Sequence, residues 1–238
     1  MNRNNYKRRN NSSYRKYNKL TDNDINEHLI NYIYNKIDVG QFKYKIIENK
    51  DIMSEITTNY HLSPNYNGTN CLLVFMKIYN KFYSYMIDRK NLNYNRHQVD
   101  TNSIEPIPIN IRFDKNIYNG TIIDGILLNK DKKTNKNIFV INDVYYLCGN
   151  NLLDSKTIYK NINISTYVKE KLTHDNIMND TIIKVNKFYK LNNIKQLVDN
   201  KFDELDYSNH IKGLAFYPEI SGTRLLYLYS NTAMKGYS

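Results

Sequence analysis

The chain has 238 residues, 34 Lys and Arg against 23 acids, a formal net charge of +11, and 41% hydrophobic and 13% aromatic residues. That much apolar and aromatic material excludes a wholly disordered chain, and no apolar run approaches the roughly 18 residues of a membrane-spanning helix. Two cysteines, Cys71 and Cys148, are too few for a disulfide framework, and no Cys/His spacing suits zinc, so no metal site is expected.

The charge is concentrated at the start. Arg3, Lys7, Arg8, Arg9, Arg15, Lys16 and Lys19 precede the first acid, Asp22, and Tyr6, Tyr14 and Tyr17 are interleaved with them. Residues 1–20 therefore read as a basic flexible arm preceding a folded domain over 21–238. Its cations suit phosphate contacts and its tyrosines suit stacking on bases; a nuclear-import signal or a solubilising tail are the other readings.

From Thr21 the pattern becomes helical. Thr21 or Asp22 can cap a helix whose apolar face is Ile25, Leu29, Ile30, Ile33 and Ile37, with Gly40 past its end as a left-handed cap. Ser63 to Gly68 (SPNYNG) reads as a turn into the main sheet. Cys71–Met76 and Phe82–Ile87 read as strands joined by a hairpin over Lys77–Lys81. Pro106 and Pro108 mark a loop or edge before a strand over Ile107–Phe113. Asn119-Gly120 makes a turn, followed by strands Thr121–Leu128 and Ile138–Leu147, and Cys148 to Asn151 closes the second of these. Helices are predicted over Ser165–Thr173 and Asn192–Leu205, and final strands over Ile211–Tyr217 and Leu225–Ser230. The sum is an α+β fold of mostly antiparallel sheets with flanking helices.

The order of these segments resembles the covalent nucleotidyltransferase superfamily of mRNA capping enzymes and ATP- or NAD-dependent ligases. TIIDGILL, with Asp124-Gly125, resembles the family's L-D-G-E strand, and IFVINDVYYL, with Asp143, the strand that follows it. HIKGLAFYP, through Gly213-Leu214-Ala215-Phe216, resembles the D-G-L-I-F motif. Ile87-Asp88-Arg89 resembles a strand found after the first motif in viral capping enzymes. The likeness covers about residues 65–229. It implies an ATP-grasp-type ligase or capping-enzyme fold. Lys77, in Lys77-Ile78-Tyr79-Asn80, then stands where the nucleophilic Lys of the K-x-D-G motif is expected.

The chemistry departs from that family. An active member attacks an α-phosphate with Lys, forming a phosphoramidate, and needs carboxylates to hold a divalent ion. Here the K-x-D-G acid is Tyr79, the third-motif Glu is Ile126, the fourth-motif acid is Lys212, and LLYLYS lacks the paired lysines of the last motif. The resemblance then implies a degenerate pocket that binds without reacting, as in snurportin's cap-binding domain, which shares the fold. Tyr79, Tyr83, Tyr85, Phe139 and Tyr145 lie on the candidate cleft strands, Tyr167 falls near the expected stacking position, and Lys77, Lys212 and Arg224 can meet phosphates.

His28, His61, His97, His174 and His210 are dispersed, and Asp203, Glu204 and Asp206 read as a solvated loop. Asn is the commonest residue at 39, with only two Ala, a bias of AT-rich codons that points to a large DNA virus or an AT-rich protist. Three functions follow. The first is an inactive nucleotidyltransferase-like protein binding RNA or other nucleic acid, with a nucleotide or the 5′ cap as its small ligand. The second is an active guanylyltransferase or polynucleotide ligase using Lys77, with Mg2+ and GTP or ATP as cofactors only in that case. The third is a viral structural protein associated with nucleic acid. The expected location is intracellular, without signal peptide or membrane partner: host cytoplasm, a viral factory or virion, or the nucleus through the arm.

Overall fold

The computed structural model describes residues 21–48, 56, 59–128, 130–131, 133–175, 177–194, 205 and 207–229. The basic arm and most of the helix expected over Asn192–Leu205 lie outside these. Helix α1 (Asp22–Lys36) starts at a capping box: the Asp24 amide donates to Thr21 Oγ1 at 3.2 Å, and the Thr21 amide donates back to the Asp24 carboxylate at 2.9 Å. Leu29, Ile30 and Ile33 form its buried stripe. The helix ends on Ile37 in extended conformation, not on a glycine cap. Gly40 instead sits in a short 3-10 turn, its amide donating to the Asp38 side chain at 2.9 Å.

Strands β1 (Tyr44–Ile46), β2 (Tyr60–Tyr66), β3 (Thr69–Ile78), β4 (Lys81–Asp88), β5 (Ile107–Pro108), β6 (Thr121–Leu128), β7 (Asn137–Leu147) and β8 (Asn150–Asn151) precede helix α2 (Thr157–Lys171). Strands β9 (Thr181–Val185), β10 (Tyr189–Lys190), β11 (Ile211–Pro218) and β12 (Arg224–Leu228) follow it. The larger sheet runs β5-β4-β3-β6-β7-β8, with β9 beside β7; the smaller runs β1-β12-β11-β2-β10. The pairs β1–β12 and β7–β9 are parallel and the remaining ladders antiparallel. This is the α+β, mostly antiparallel architecture read from the sequence.

Strand β3 shows why its apolar run is continuous. Leu72, Val74 and Met76 pack with α1 on one face, while Cys71, Leu73 and Phe75 pack on the other with Ile164 of α2. The smaller sheet meets the larger through Tyr66 against Ile126, Leu128, Ile138 and Val140.

Several boundaries differ from the sequence reading. Ser63–Tyr66 is strand, not turn, and only Asn67-Gly68 turns the chain. Pro64 is tolerated because β10 pairs with β2 only at His61 and Leu62, leaving Pro64 beyond its end. The strand expected over Ile107–Phe113 shrinks to Ile107–Pro108. Helix α2 begins eight residues before Ser165. Its start has no side-chain cap; it is held by tertiary bonds from the Thr157 amide to Glu219 O (2.6 Å) and from Thr157 Oγ1 to Pro218 O (2.7 Å). Strands β1 and β10 are too short to stand out from the Asn-rich background, and the apolar run TIIKV of β9 was not read as a strand.

Candidate functional site: a buried charge cluster and a basic rim

Between the two sheets lies a cluster of ionised side chains. Asp124 of β6 is fully buried. It pairs with Arg89, with Arg224 Nη1 at 3.0 Å and with the Tyr145 hydroxyl at 2.8 Å. Burial alone would raise the Asp124 pKa, but the Arg224 and Arg89 guanidiniums reverse this and hold it below the usual carboxylate range. Arg224 of β12 is 1% exposed. Its guanidinium lies over the Tyr217 ring at 4.9 Å and donates from Nη2 to Tyr145 Oη at 3.1 Å. Arg89 also donates to Tyr44 Oη (2.9 Å) and Phe42 O (2.6 Å).

The neighbouring carboxylate, Asp143 of β7, takes Lys160 Nζ at 2.6 Å and the Ser221 hydroxyl at 2.8 Å, and lies 3.7 Å from Arg224 Nη2. Burial pulls the Lys160 ammonium below its ordinary pKa, against the attraction of Asp143. The Phe42 ring stacks on Tyr145 with centroids 4.4 Å apart. Both carboxylates and the aromatic faces around them are therefore occupied by the chain's own groups. Among the described residues, no three His, Cys, Asp or Glu side chains converge. The donor set does not fit a divalent ion, because each acid is already neutralised by fixed cations.

The β2–β3 hairpin carries the chain from the smaller sheet to the larger. Its residues, Asn65-Tyr66-Asn67-Gly68, have the spacing of K-x-D-G with Asn at both charged positions and the glycine kept. Gly68 has no room for a side chain: a Cβ would lie 2.4 Å from Leu127 O. Asn65 stands opposite Gly213 on β11, is 3% exposed, and its Nδ2 has no hydrogen-bond partner among the described residues. The Asn67 amide donates to His210 O at 2.6 Å. With no charge in it, this hairpin read from the sequence as a turn into the main sheet.

Outside the cluster lies an open cleft of about 570 Å³ lined by residues including Lys43, Asn70, Arg89, Lys90 and Tyr94, with one acid, Asp100. Asp100 accepts from the Asn102 amide at 3.0 Å. Lys43 Nζ stands 4.4 Å over the Tyr94 ring. Lys212 adjoins this rim: burial and the charge of Lys90 both lower its pKa. Among the described residues, Lys43, Lys90 and Lys212 make no salt bridge.

The residues nominated from sequence are thus dispersed. Asp124 and Arg224 meet in the buried cluster, and Lys212 lies beside the rim. Lys77 is exposed near the far end of β3, on the face opposite the smaller sheet, with Nζ 5.9 Å from the Phe82 ring centroid. Tyr79 is at the tip of the β3–β4 turn, 74% exposed. Tyr83 stacks with Tyr85 at 6.2 Å, away from the cluster. Phe139 is buried on the α2 face, where its ring fills the space a Cβ on Gly125 would need. Tyr167 stacks on Phe113 and donates to Asp114 at 2.6 Å on that same face. Tyr145, read as an aromatic of the cleft strands, is in the cluster as a donor to Asp124, and Arg89, Lys160, Tyr44, Lys43 and Lys90 were not nominated as site residues at all.

No protein-family model matches the chain. It is 28% identical over 221 residues, 91% of its length, to the uncharacterized protein L308 of Acanthamoeba polyphaga mimivirus, and it spans 64% of that relative. Among solved structures it is similar to a mycobacterial DNA ligase D complexed with ATP (TM-score 0.46, 9% identity, covering 81% of this chain and 62% of that one). It is likewise similar to the ligase domain of M. tuberculosis LigD (TM-score 0.46, 8% identity, 79% and 60%) and to a Lig E DNA ligase (TM-score 0.45, 11% identity, 79% and 68%). Among the described residues, no helix is long and apolar enough to cross a membrane.

Proposed function

We propose that this chain is a nucleotidyltransferase-like protein that binds RNA along its basic rim and does not transfer nucleotides. The observation that carries the reading is the open cleft lined by Lys43, Arg89 and Lys90, with Asp100 as its one acid among the described residues, and with Lys212 beside it, its pKa lowered by burial and then by the repelling charge of Lys90. A phosphodiester between Lys90 and Lys212 would relieve that repulsion, and each phosphate neutralised releases counterions. Tyr94 supplies an exposed ring beside Lys43 for a base or cap guanine. The arm of residues 1–20 would add phosphate contacts.

Support for inactivity comes from the cleft interior. An amide at Asn65 or Asn67 is no nucleophile, because its nitrogen lone pair is delocalised into the carbonyl. Asp124 and Asp143 are committed to Arg89, Arg224 and Lys160. The motif order in the sequence supports the family reading, and the viral relative agrees with a viral setting.

Incubation with α-labelled GTP or ATP and Mg2+ tests the catalytic half. No covalent adduct is expected, and an adduct lost in Lys77→Ala would establish the enzyme instead. RNA affinity is expected to fall steeply with salt, and Lys90→Ala with Lys212→Ala should reduce the salt slope by about two, one per phosphate contact. Salt-independent binding contradicts the reading. Competition by a methylated cap analogue beyond that of GTP would extend the reading to the cap.

A further inference from the structure

The far end of the larger sheet carries a second feature that the rim does not use. The β3–β4 turn places Tyr79 at φ 46° and Asn80 at φ 64°. Left-handed conformation at both central positions is the geometry that Asn-Gly or Gly-Gly adopts at least cost, and a bulky Tyr there is strained. The strain does not bury the ring, since Tyr79 is 74% exposed; among the described residues its ring meets the His28 ring edge-on, with centroids 5.7 Å apart.

Beside it Phe82 is 45% exposed and leans on Tyr118 with centroids 4.7 Å apart. Lys77 and Lys81, both exposed, flank the two rings. Strand β5 pairs with β4 only at Tyr85 and Met86, so the edge of β4 from Lys81 to Tyr83 is open. A groove of about 300 Å³ runs below it, lined by Phe82, Tyr83, Tyr118, Met178 and Arg112 among others and, among the described residues, by no acid, Arg112 being paired with Asp175 at 2.9 Å.

We propose that this hairpin end is a stacking platform for single-stranded RNA, separate from the rim; the proposal rests on the RNA-binding reading above. Exposed rings with the ammonium groups of Lys77 and Lys81 beside them match bases joined by phosphates; the nearby acids Asp175 and Asp180 are engaged by Arg112 and Asn110. The rings and ammonium groups do not match an apolar peptide, which would leave Lys77 and Lys81 unmatched. Only unpaired bases can lie on the rings, since duplex bases are already stacked on one another. The platform is about 23 Å from Asn70 of the rim, seven residues along β3 at roughly 3.3 Å each. One flexible strand can therefore engage both, and loss of the platform weakens binding without altering the rim.

The test is fluorescence anisotropy of the full chain with a labelled oligouridine of about 16 nucleotides and with an RNA duplex of the same length. Tyr79→Gly is expected to weaken single-strand binding about tenfold and to leave duplex binding within about twofold. Phe82→Ser should act in the same direction, and Tyr79→Phe should retain wild-type affinity. Glycine suits φ 46° better than tyrosine, so Tyr79→Gly should melt no lower than wild type, which separates lost stacking from lost folding. Unchanged single-strand affinity in both Tyr79→Gly and Phe82→Ser overturns the platform, whatever the rim variants do. A wild-type salt slope in the Lys90→Ala and Lys212→Ala variant, with tip variants still weakened, overturns the rim and leaves the platform standing. If the wild-type chain binds no oligouridine, both fall.

Discussion

Asp124 is ionised at a place where water is excluded, and it is kept so by two guanidiniums and two phenols. Replacing it by Leu would strand Arg89 and Arg224 as unpaired buried charges. We expect Asp124→Leu to lose about 3–5 kcal/mol of stability in urea unfolding. A loss below about 1 kcal/mol would show that the cluster is hydrated and weakly coupled. The residue beside it, Gly125, faces a different constraint. A Cβ there would lie 2.4 Å from Val140 O and 2.5 Å from the Phe139 ring. Gly125→Ala should cost about 1–3 kcal/mol by overpacking, measured by the same method. In the sequence, Asp124-Gly125 was legible as a motif, whereas Arg224 was read as a phosphate contact and is instead 1% exposed against Asp124. The burial that gives Arg224 to Asp124 was not legible, because one hundred residues separate the partners.

At the scale of the element, the long apolar strands and the first helix were readable because local pattern and tertiary role agree. Strands β3, β6 and β7 have runs of buried residues that no other structure would cover. Helix α1 has both its cap and its stripe in the sequence. Thr21→Ala should therefore cost about 1 kcal/mol, read as a lower thermal midpoint with the fold retained; no shift would mean the helix start is held by its packing alone. Helix α2 is the contrast. Its first turn is stabilised by carbonyls of Pro218, which ends β11, and of Glu219, which opens the β11–β12 connection; neither leaves a trace near residue 157. Its stretch TIYKNINI offered no cap and no clean stripe to locate the start.

For the whole molecule, buried neutral acids set the alkaline limit. Burial pushes the Cys71 thiol up to about 12 from 9.0, and burial with the Asp124 charge pushes the Tyr44 phenol up to about 12 from 10.0. A raised folded-state pKa means the native state holds its proton where the unfolded chain has lost it. Stability from these groups is full below pH 9 and is lost as pH rises toward 12. Lys160 acts in the opposite direction, since its depressed pKa makes the unfolded chain the better proton acceptor below 10.5. With more groups on the first side, including Tyr32 at about 12, the thermal midpoint should decline progressively above pH 9. A flat profile to pH 11 would show that these side chains are reached by water.

What the sequence by itself determined was the α+β class, the order of the main strands and the placement of charge, because these depend on local periodicity and composition. Only the tertiary structure decided which charges are spent in ion pairs among the described residues. It put Arg89, Arg224 and Lys160 against two carboxylates in the dry space between the sheets, and left Lys43, Lys90 and Lys212 along the rim. It also moved Lys77 to the opposite face and far end of β3. An ion pair depends on distance in space, and residues brought together across two sheets carry no mark of it in their order along the chain.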